Sequence, residues 1–301
     1  MNMKDENKKT GKNRILRVLV TGGTGFVGRA VAEKLSKSCK VRVFAREKAI
    51  IKNAEVFAGN LLDKNDARKS LENIDIVVHL AAMILGDEKE IYSFNVESTE
   101  ILVNAALNSS VKKLIFLSSE NVMWKAQSAY GESKKKCEEI VKSFNNHLIL
   151  RSSAIYGKGS NVILGKVINC VKKSKVIFMP GNGKSLMQPI YVEDAANYII
   201  NGIKYGAKGT YVIAGSSKIT FNDFINTASK ILKVKRIIVH IPLWVISPIL
   251  SITGKIFKNP PIKLSQIKNL NTSRTYDISK AIKELKYTPV GIEEGLKKTL
   301  T

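Results

Sequence analysis

Three residues near the middle of the chain, Ser119, Tyr130 and Lys134, have types and a spacing suited to moving a proton on a hydroxyl-bearing carbon. Tyr130 and Lys134 are four residues apart, so on a helix they share one face. A tyrosine with its ordinary pKa near 10 is a poor base at neutral pH, but a neighbouring ammonium favours the phenolate and lowers that pKa. The hydroxyl of Ser119 can hold the reacting oxygen. The alternative is that these residues lie on an ordinary surface helix of a lysine-rich chain. The sequence around them must therefore decide between a reactive site and a solvated helix.

A glycine-rich turn near the start of the chain supplies that context. Gly22, Gly25 and Gly28 follow the apolar run Ile15–Val20 at three-residue intervals and open the helical pattern Val27–Ser36. In a strand–turn–helix unit the first glycine permits a tight turn, the second lets the backbone approach a pyrophosphate, and the third lets helix and strand pack closely. The amide groups at the helix N-terminus then face the phosphates. The sequence therefore predicts a dinucleotide site, and with Ser119, Tyr130 and Lys134 it predicts hydride transfer to or from a carbinol. A cationic nicotinamide ring would join the lysine ammonium in lowering the tyrosine pKa.

Apolar runs alternate with helical patterns through the first half of the chain, which predicts an α/β fold with a doubly wound parallel (Rossmann) sheet. Further strands are predicted at Val41–Ala45, Ala54–Ala58, Ile74–Leu80, Leu114–Ser118 and Leu148–Arg151. Helices are predicted at Asn65–Leu71, Ile91–Leu107 and Ser133–Phe144. Ligands of open parallel sheets bind beyond the carboxyl ends of the strands, where Ser119 lies.

The pattern loses its regularity after about residue 160, where a smaller mixed α/β C-terminal substrate lobe is expected. We expect a flexible N-terminal lead-in over 1–13, a dinucleotide-binding domain over 14–160 and the substrate lobe over 161–301, with some segments of the lobe returning to the Rossmann sheet. The lead-in is polar and charged, unlike a secretory signal.

The composition limits the partners. Three scattered cysteines and three isolated histidines predict neither a disulfide framework nor a metal site, which suits a reducing cytoplasm. The formal net charge is +24, yet the lysines form no dense arm and no aromatic-interleaved motif, so nucleic-acid binding is not expected. The apolar stretch Ile237–Thr253 is interrupted by prolines and polar residues, which argues against a membrane-spanning helix. Two interpretations stay open for it, a buried lid helix and an interfacial helix that makes peripheral contact with anionic lipid.

The sequence resembles the extended branch of the short-chain dehydrogenase/reductase superfamily, the NAD-dependent epimerase/dehydratase type. The motifs that carry the resemblance extend over nearly the whole chain. They comprise Thr21–Gly28, Asp75–Ala82, Asn95–Thr99, Phe116–Ser119, Tyr130–Lys134, Leu150–Ser152, Ile155–Gly157, Gly181–Gly183, Ile190–Asp194 and Tyr276–Ala281.

The resemblance implies roles for individual residues. Tyr130 corresponds to the acid/base, Lys134 to the residue that binds the nicotinamide ribose and tunes the tyrosine, and Ser119 to the residue that orients a small-molecule substrate. The cofactor-binding positions it implies are Gly22, Gly25, Phe26, Val27 and Gly28 at the pyrophosphate, Asn60 and Leu61 beside the adenine, and Leu80, Ala81 and Ala82 at the adenosine ribose and phosphate. Asn60 departs from the family pattern, which usually has aspartate there. It also implies a homodimer formed by the helices near 91–107 and 130–144.

The chain departs from the family pattern in places that bear on specificity. Where NAD-preferring relatives carry an acid after the second strand, this chain has Ala45 followed by Arg46, and an arginine there can pair with a 2′-phosphate. The sequence thus favours NADP over NAD. Only Ser273-Arg274 lies near the place of the family's Arg-x-Gly-Asp stretch, which weakens a sugar-nucleotide assignment.

Three functions follow from the sequence. The first is an oxidoreductase or epimerase of the epimerase/dehydratase type, with sugar nucleotides as the favoured substrates. The second is an NADP-dependent reductase or dehydrogenase of a lipophilic alcohol or ketone, to which the apolar stretch Ile237–Ile252 points. The third, a cofactor-sensing or scaffold protein on the same fold, is opposed by the presence of Ser119, Tyr130 and Lys134.

Overall fold

The structure is a computed structural model that describes residues 15–125, 128–248 and 271–301. Its centre is a seven-stranded parallel sheet with the strand order 3-2-1-4-5-6-11. The strands are β1 (Arg17–Thr21), β2 (Lys40–Ala45), β3 (Ala54–Ala58), β4 (Ile76–His79), β5 (Lys113–Ser119), β6 (His147–Ser152) and, later in the chain, β11 (Gly209–Ile213). The predicted Rossmann sheet is confirmed, and β11 adds a strand at its edge.

Helices flank this sheet because its strands are apolar on both faces. They are α1 (Phe26–Leu35), α2 (Lys64–Ser70), α3 (Glu88–Leu107), α4 (Ala129–Lys142), α6 (Val192–Lys204) and α8 (Ser279–Leu285). Adjacent residues of β6 show the two faces. Ile149 belongs to the buried core that includes Leu102 of α3 and Val141 of α4, whereas Leu148 packs against Gly202 of α6. A side chain at Gly202 would collide with Leu148, so this glycine sets the distance between α6 and the sheet.

The parallel register brings the ends of the central strands to one edge. Thr21 at the end of β1 is paired with His79 at the end of β4, and His79 is paired with Phe116 of β5. β5 continues beyond this point to Ser119, and a short 3₁₀ helix (Glu120–Met123) follows. The strand order changes direction between β1 and β4, because β2 and β3 are added on one side of β1 and β4, β5 and β6 on the other. Ligands of such sheets bind at this point.

The chain forms two compact units. The sheet unit comprises Met1–Ser152, Val192–Ile213 and Ile278–Tyr287, and the second unit comprises Ser153–Tyr191, Ala214–Asp277 and Thr288–Thr301. The second unit contains short strands and three helices of known bounds, namely β7 (Ile155–Tyr156), α5 (Ile163–Lys173), β8 (Val176–Pro180), β9 (Leu186–Met187), β10 (Ile190–Tyr191), β12 (Ile219–Thr220), α7 (Phe221–Ile231), β13 (Ile237–Ile241) and α9 (Ile292–Leu300).

The interpretation of Ile237–Thr253 as one helix is wrong for its first part. Ile237–Ile241 forms β13, which pairs in parallel with β8. Four of its five residues are isoleucine or valine, and β-branched side chains favour extended backbone. Pro242 then ends the strand, and residues 243–248 are helical. Residues 249–253, like the lead-in at 1–13, lie outside the described residues.

Within the described ranges, none of the helices combines the length and the apolar composition that crossing a membrane requires.

Candidate active site

The glycine turn after β1 is held by close backbone contacts. Gly22 has a φ of +68°, and a Cβ atom on it would lie 2.8 Å from the backbone nitrogen of Ala81. A Cβ atom on Gly28 would lie 2.0 Å from the carbonyl oxygen of Gly22. The turn therefore needs glycine at both positions, as the spacing predicts. Gly23 has a reason that the sequence did not reveal, because a Cβ atom there would lie 2.6 Å from a methyl group of Val43 on β2.

The N-terminus of α1 has the properties of a phosphate site. Gly25 is the N-cap residue, no side chain caps the helix, and its first turn contains no acidic residue. Gly25 is exposed, Phe26 and Val27 are half-buried, and a Cβ atom on Gly25 would meet only the oxygen of Gly22, 3.1 Å away. The amide groups of the first turn thus retain their partial positive charge. This cradle fits the pyrophosphate of a dinucleotide, and the backbone around Gly25 to Val27 would hold it.

Ser119, Tyr130 and Lys134 converge at the carboxyl end of β5. Tyr130 is the second residue of α4, whose N-cap Ser128 accepts a hydrogen bond from the amide of Gly131 (3.2 Å). Lys134 is only 2% exposed, and its Nζ donates to the carbonyl oxygen of Leu117 at the end of β5 (2.9 Å). The same Nζ lies 5.9 Å from the centre of the Tyr130 ring. Tyr130 and Ser119 are joined by a side-chain hydrogen bond.

Burial dominates the electrostatics of Tyr130 and Lys134. Burial raises the pKa of Tyr130 well above its ordinary value, although the hydrogen bond with Ser119 acts in the opposite direction. Burial also lowers the pKa of Lys134 to about 8, with Cys137 and Glu138 opposing the shift. The lowered tyrosine pKa expected from the sequence requires the Lys134 ammonium together with a cationic nicotinamide ring, and it stays a prediction for the cofactor-bound protein. In the protein alone Tyr130 is a protonated phenol, ready to donate.

A buried histidine links the glycine turn to the helices behind it. His79 Nδ1 is hydrogen-bonded to the hydroxyl of Thr21 (2.7 Å), and its Nε2 to the hydroxyl of Thr99 on α3 (3.0 Å). The Thr21 hydroxyl also accepts from the amides of Leu80 and Ala81 (both 3.2 Å). Burial, reinforced by the charge of Lys134, lowers the pKa of His79 to about 3, so the ring is neutral. The sequence marked His79 only as an isolated histidine in an apolar strand.

Asn95 on α3 joins the loop after β4 to α4. Its side chain accepts from the amide of Met83 (2.7 Å) and donates both to the carbonyl of Met83 (3.0 Å) and to the hydroxyl of Ser133 (3.0 Å). Ser133 in turn donates to the carbonyl of Tyr130 (2.8 Å). Asn95 is 1% exposed, so these bonds fix the position of α4 relative to the loop.

A buried ion pair lies behind Ser119. Glu138 on α4 accepts a hydrogen bond from Ser118 (2.6 Å) and a two-pronged interaction from Arg151 on β6, the shortest contact being 2.7 Å. The Glu138 carboxylate is 3% exposed. Because both of its oxygens have partners, the charge is satisfied, and β5, β6 and α4 are tied together next to Ser119. The sequence does not predict this pair, since neither residue stands out by spacing.

The remaining predicted cofactor positions surround the same edge of the sheet. Leu80, Ala81 and Ala82 follow β4 and are partly exposed. Arg46 follows β2 directly, and its exposed guanidinium makes no hydrogen bond or ion pair with the rest of the described chain. The exposed Asn60 uses its side-chain oxygen to accept from the amide of Leu62 (3.0 Å). Leu61 differs from the others because its side chain packs in the hydrophobic core.

Among the residues that the structure describes, no group of three or more histidine, cysteine or acidic side chains could hold a metal ion.

A family model describes the same region. Residues 18–214 match the NAD dependent epimerase/dehydratase family, and the chain belongs to that family of enzymes. The match covers β1 to β11 and includes the glycine turn and Ser119, Tyr130 and Lys134.

Two relatives align with most of this chain at low sequence identity. The 3beta-hydroxysteroid-dehydrogenase/decarboxylase isoform 2 of Arabidopsis thaliana is 25% identical over 94% of this chain, and the chain spans 61% of the length of that protein. The bovine (Bos taurus) sterol-4-alpha-carboxylate 3-dehydrogenase, decarboxylating, is 26% identical over 94% of this chain and 91% of its own length.

Solved structures share the fold. The UDP-glucuronic acid 4-epimerase of Bacillus cereus, in complex with UDP-glucuronic acid and NAD, superimposes with a TM-score of 0.76 at 20% identity and covers 95% of this chain and 98% of its own. At this identity the likeness establishes the fold alone.

Proposed function

We propose that the protein is an NAD(P)-dependent oxidoreductase that transfers hydride at a hydroxyl-bearing carbon. The observation that carries the proposal is the meeting of Ser119, Tyr130 and Lys134 at the carboxyl edge of the sheet that also bears the glycine turn. The nicotinamide cofactor, when bound, supplies or accepts the hydride. The chain itself must bind the cofactor, orient the substrate oxygen and move one proton.

The proton is assigned to Tyr130. Its raised pKa keeps the phenol protonated, so in the reducing direction it donates to the oxygen of the carbonyl substrate. The Ser119 hydroxyl, already hydrogen-bonded to Tyr130, orients that oxygen. In the oxidising direction Tyr130 accepts the proton of the alcohol, and the Lys134 ammonium stabilises the phenolate that does so. The bond from Lys134 to Leu117 holds the ammonium in place for this task.

For the substrate we favour a lipophilic alcohol or ketone. Two named relatives that align with 94% of this chain act, by their names, on sterol or hydroxysteroid substrates. The family's Arg-x-Gly-Asp stretch, which in other members helps to hold a nucleotide diphosphate, is replaced here by Ser273-Arg274. A sugar nucleotide is the second candidate, favoured by the fold shared with UDP-sugar epimerases.

For the cofactor we favour NADP, on the basis of Arg46. Its exposed guanidinium at the end of β2 has no partner in the described chain and is free to pair with a 2′-phosphate. The epimerase structure with NAD supports the opposite choice. Identifying the nucleotide released from the freshly purified, denatured protein separates the two. Retained NAD contradicts the role given to Arg46 and points to an epimerase, whereas an empty protein that binds NADPH more tightly than NADH supports it.

The test of the proposed chemistry is Tyr130→Phe. Loss of a general acid–base lowers the rate about a thousandfold, while the glycine turn and therefore the Kd for NADPH stay as they were. Turnover is followed by cofactor absorbance on a panel of hydroxysteroids, ketones and UDP-sugars. Tyr205→Phe removes another hydroxyl of the sheet unit and is expected to leave the rate unchanged. A Tyr130→Phe enzyme with full activity would show that the mechanism is wrong.

We further infer a homodimer through α3 and α4, which pack together in the sheet unit. Molar mass in solution, measured by light scattering, tests it. A monomer at micromolar concentration contradicts it.

A further inference from the structure

The second unit exposes a continuous apolar face on its two-stranded parallel sheet. Val176 and Phe178 of β8 lie directly opposite Ile237 and Val239 of β13. Because alternate residues of a strand point to the same side, these four side chains share one face. All four are exposed, Phe178 by 66% and Ile237 by 64%. We call these four residues the apolar face.

The other side of β8 is buried, whereas on the other side of β13 Ile238 is half-buried and His240 is exposed and hydrogen-bonded to Asn222 (3.0 Å). Ile177 and Met179, which alternate with Val176 and Phe178, are 5% and 4% exposed. Just beyond β13, Trp244 is 78% exposed. Scattered exposed apolar residues are ordinary, but a contiguous apolar face marks an interaction site.

The two segments of the chain that form the apolar face carry charges of one sign. Residues 140–192 and 224–276, which contain β8 and β13, include no aspartate or glutamate. Exposed lysines precede both strands, where the parallel register brings them to the same end of the face, namely Lys172, Lys173, Lys175, Lys233 and Lys235. Arg236 follows the lysines of the second segment, and it donates to the carbonyl oxygen of Val171 (2.7 Å), the residue before the lysines of the first. The apolar face therefore has a cationic border.

We propose that the apolar face docks on an anionic membrane surface. Apolar side chains that enter the interfacial region gain burial, and lysines beside them are attracted to acidic headgroups. Trp244 suits the same position, since tryptophan favours the boundary between hydrocarbon and water. A protein partner that complemented this border would have to be acidic and apolar at once, whereas anionic lipid supplies both properties. The docking surface does not depend on the proposed reaction.

Cosedimentation with vesicles tests the proposal directly. The full chain is mixed with vesicles of phosphatidylcholine plus phosphatidylserine, or of phosphatidylcholine alone, at low and at physiological salt. We expect binding to the anionic vesicles that weakens with salt. The double variant Phe178→Ser, Ile237→Ser removes two exposed apolar side chains and is expected to weaken binding at least about tenfold.

Matched variants separate the contributions. Lys173→Glu with Lys235→Glu is expected to weaken binding to the anionic vesicles to a similar extent, whereas Leu107→Ser and Lys37→Glu change exposed residues of the sheet unit and leave it unchanged. Circular dichroism and Tm confirm that each variant is folded. The proposal is overturned if the wild type does not bind anionic vesicles, if it binds neutral vesicles equally well, or if the Phe178/Ile237 variant binds like the wild type. The proposal is also overturned if the apolar face binds an acidic protein but does not bind the vesicles.

Discussion

The two units of the chain differ in where they place their charged side chains. Every buried charged residue of the described chain belongs to the sheet unit, namely Asp75, Lys113, Lys134, Glu138 and Asp194. The second unit buries no charge in its described part but exposes the apolar face on β8 and β13. Charges are buried where groups must be held at fixed positions, because a buried charge without partners is too costly to keep.

The charge balance separates the units as well. The sheet unit contains 31 lysines and arginines against 21 acidic residues, and the second unit contains 18 against 4. A uniformly lysine-rich composition would give both units a similar ratio. Most of the net charge of +24 thus resides in the smaller unit. The sheet unit therefore holds the buried charges, and the second unit combines the larger excess of positive charge with the apolar face.

The largest difference between the units is expected in nucleotide binding, when a glycine with an equally close backbone contact is replaced in each unit. Gly28→Ala and Gly165→Ala each place a Cβ atom 2.0 Å from a backbone oxygen, of Gly22 and of Ser160 respectively. Each is expected to lower the free energy of unfolding by about 3 kcal/mol, because the backbone must move. Only Gly28→Ala is expected also to weaken nucleotide binding. Denaturant titration and NADPH titration measure both effects.

The control for this pair is Gly25→Ala, whose Cβ atom would lie 3.1 Å from the oxygen of Gly22, a much milder contact than those of Gly28 and Gly165. We expect it to keep the stability within about 1 kcal/mol but to weaken nucleotide binding. Equal loss of nucleotide binding in Gly165→Ala would remove the distinction between the units.

A smaller effect is expected from breaking ion pairs. Glu138→Gln leaves Arg151 facing an uncharged partner in the sheet unit, and we expect a loss of about 2 kcal/mol, less than for a fully buried pair because Arg151 is partly exposed. Glu294→Gln breaks the exposed pair with Lys298 on α9 of the second unit and is expected to change stability by less than about 0.5 kcal/mol. Urea unfolding of both variants compares them, and equal losses would contradict the contrast.

The smallest effect concerns pH. The pKa of His79 is about 3 in the folded chain and about 6.5 when unfolded, so between these values the unfolded state binds the additional proton. Stability is expected to fall as pH drops below 6.5, by about 1.4 kcal/mol at pH 5.5 from this residue. His79→Gln is less stable at neutral pH but flattens the profile. A wild-type profile that is flat from pH 7 to 5.5 would contradict the assignment.

Much of the sheet unit could be predicted because its local signals agree. Six strands appear as short apolar runs between helical patterns, and Gly22 and Gly28 are fixed by contacts that their spacing implies. The seventh strand, Gly209–Ile213, carries no comparable signal, since it has only five residues and joins β6 from far along the chain. Its place depends on a pairing that periodicity does not encode.

The supporting contacts of the candidate site could not be predicted for a similar reason. His79 meets Thr21 and Thr99 through the register of β4 and the position of α3, and Glu138 meets Arg151 across a helix and a strand. The raised pKa of Tyr130 depends on how much solvent the fold removes, which the four-residue spacing to Lys134 does not reveal. The sequence does not distinguish a strand from a helix at Ile237–Ile241, because a short apolar run fits both structures.

The order in which the chain visits its two units has a consequence for synthesis. The edge of β6 is completed by β11, and Tyr211 of β11 is hydrogen-bonded to Glu284 of α8. A ribosome must therefore translate Ser153–Tyr191 before the seventh strand exists, and Ala214–Asp277 before α8 does. Until then β6 presents an unpaired edge of the kind that promotes aggregation. Nascent chains stalled between residues 152 and 209 should consequently depend on chaperones more than those released after residue 287.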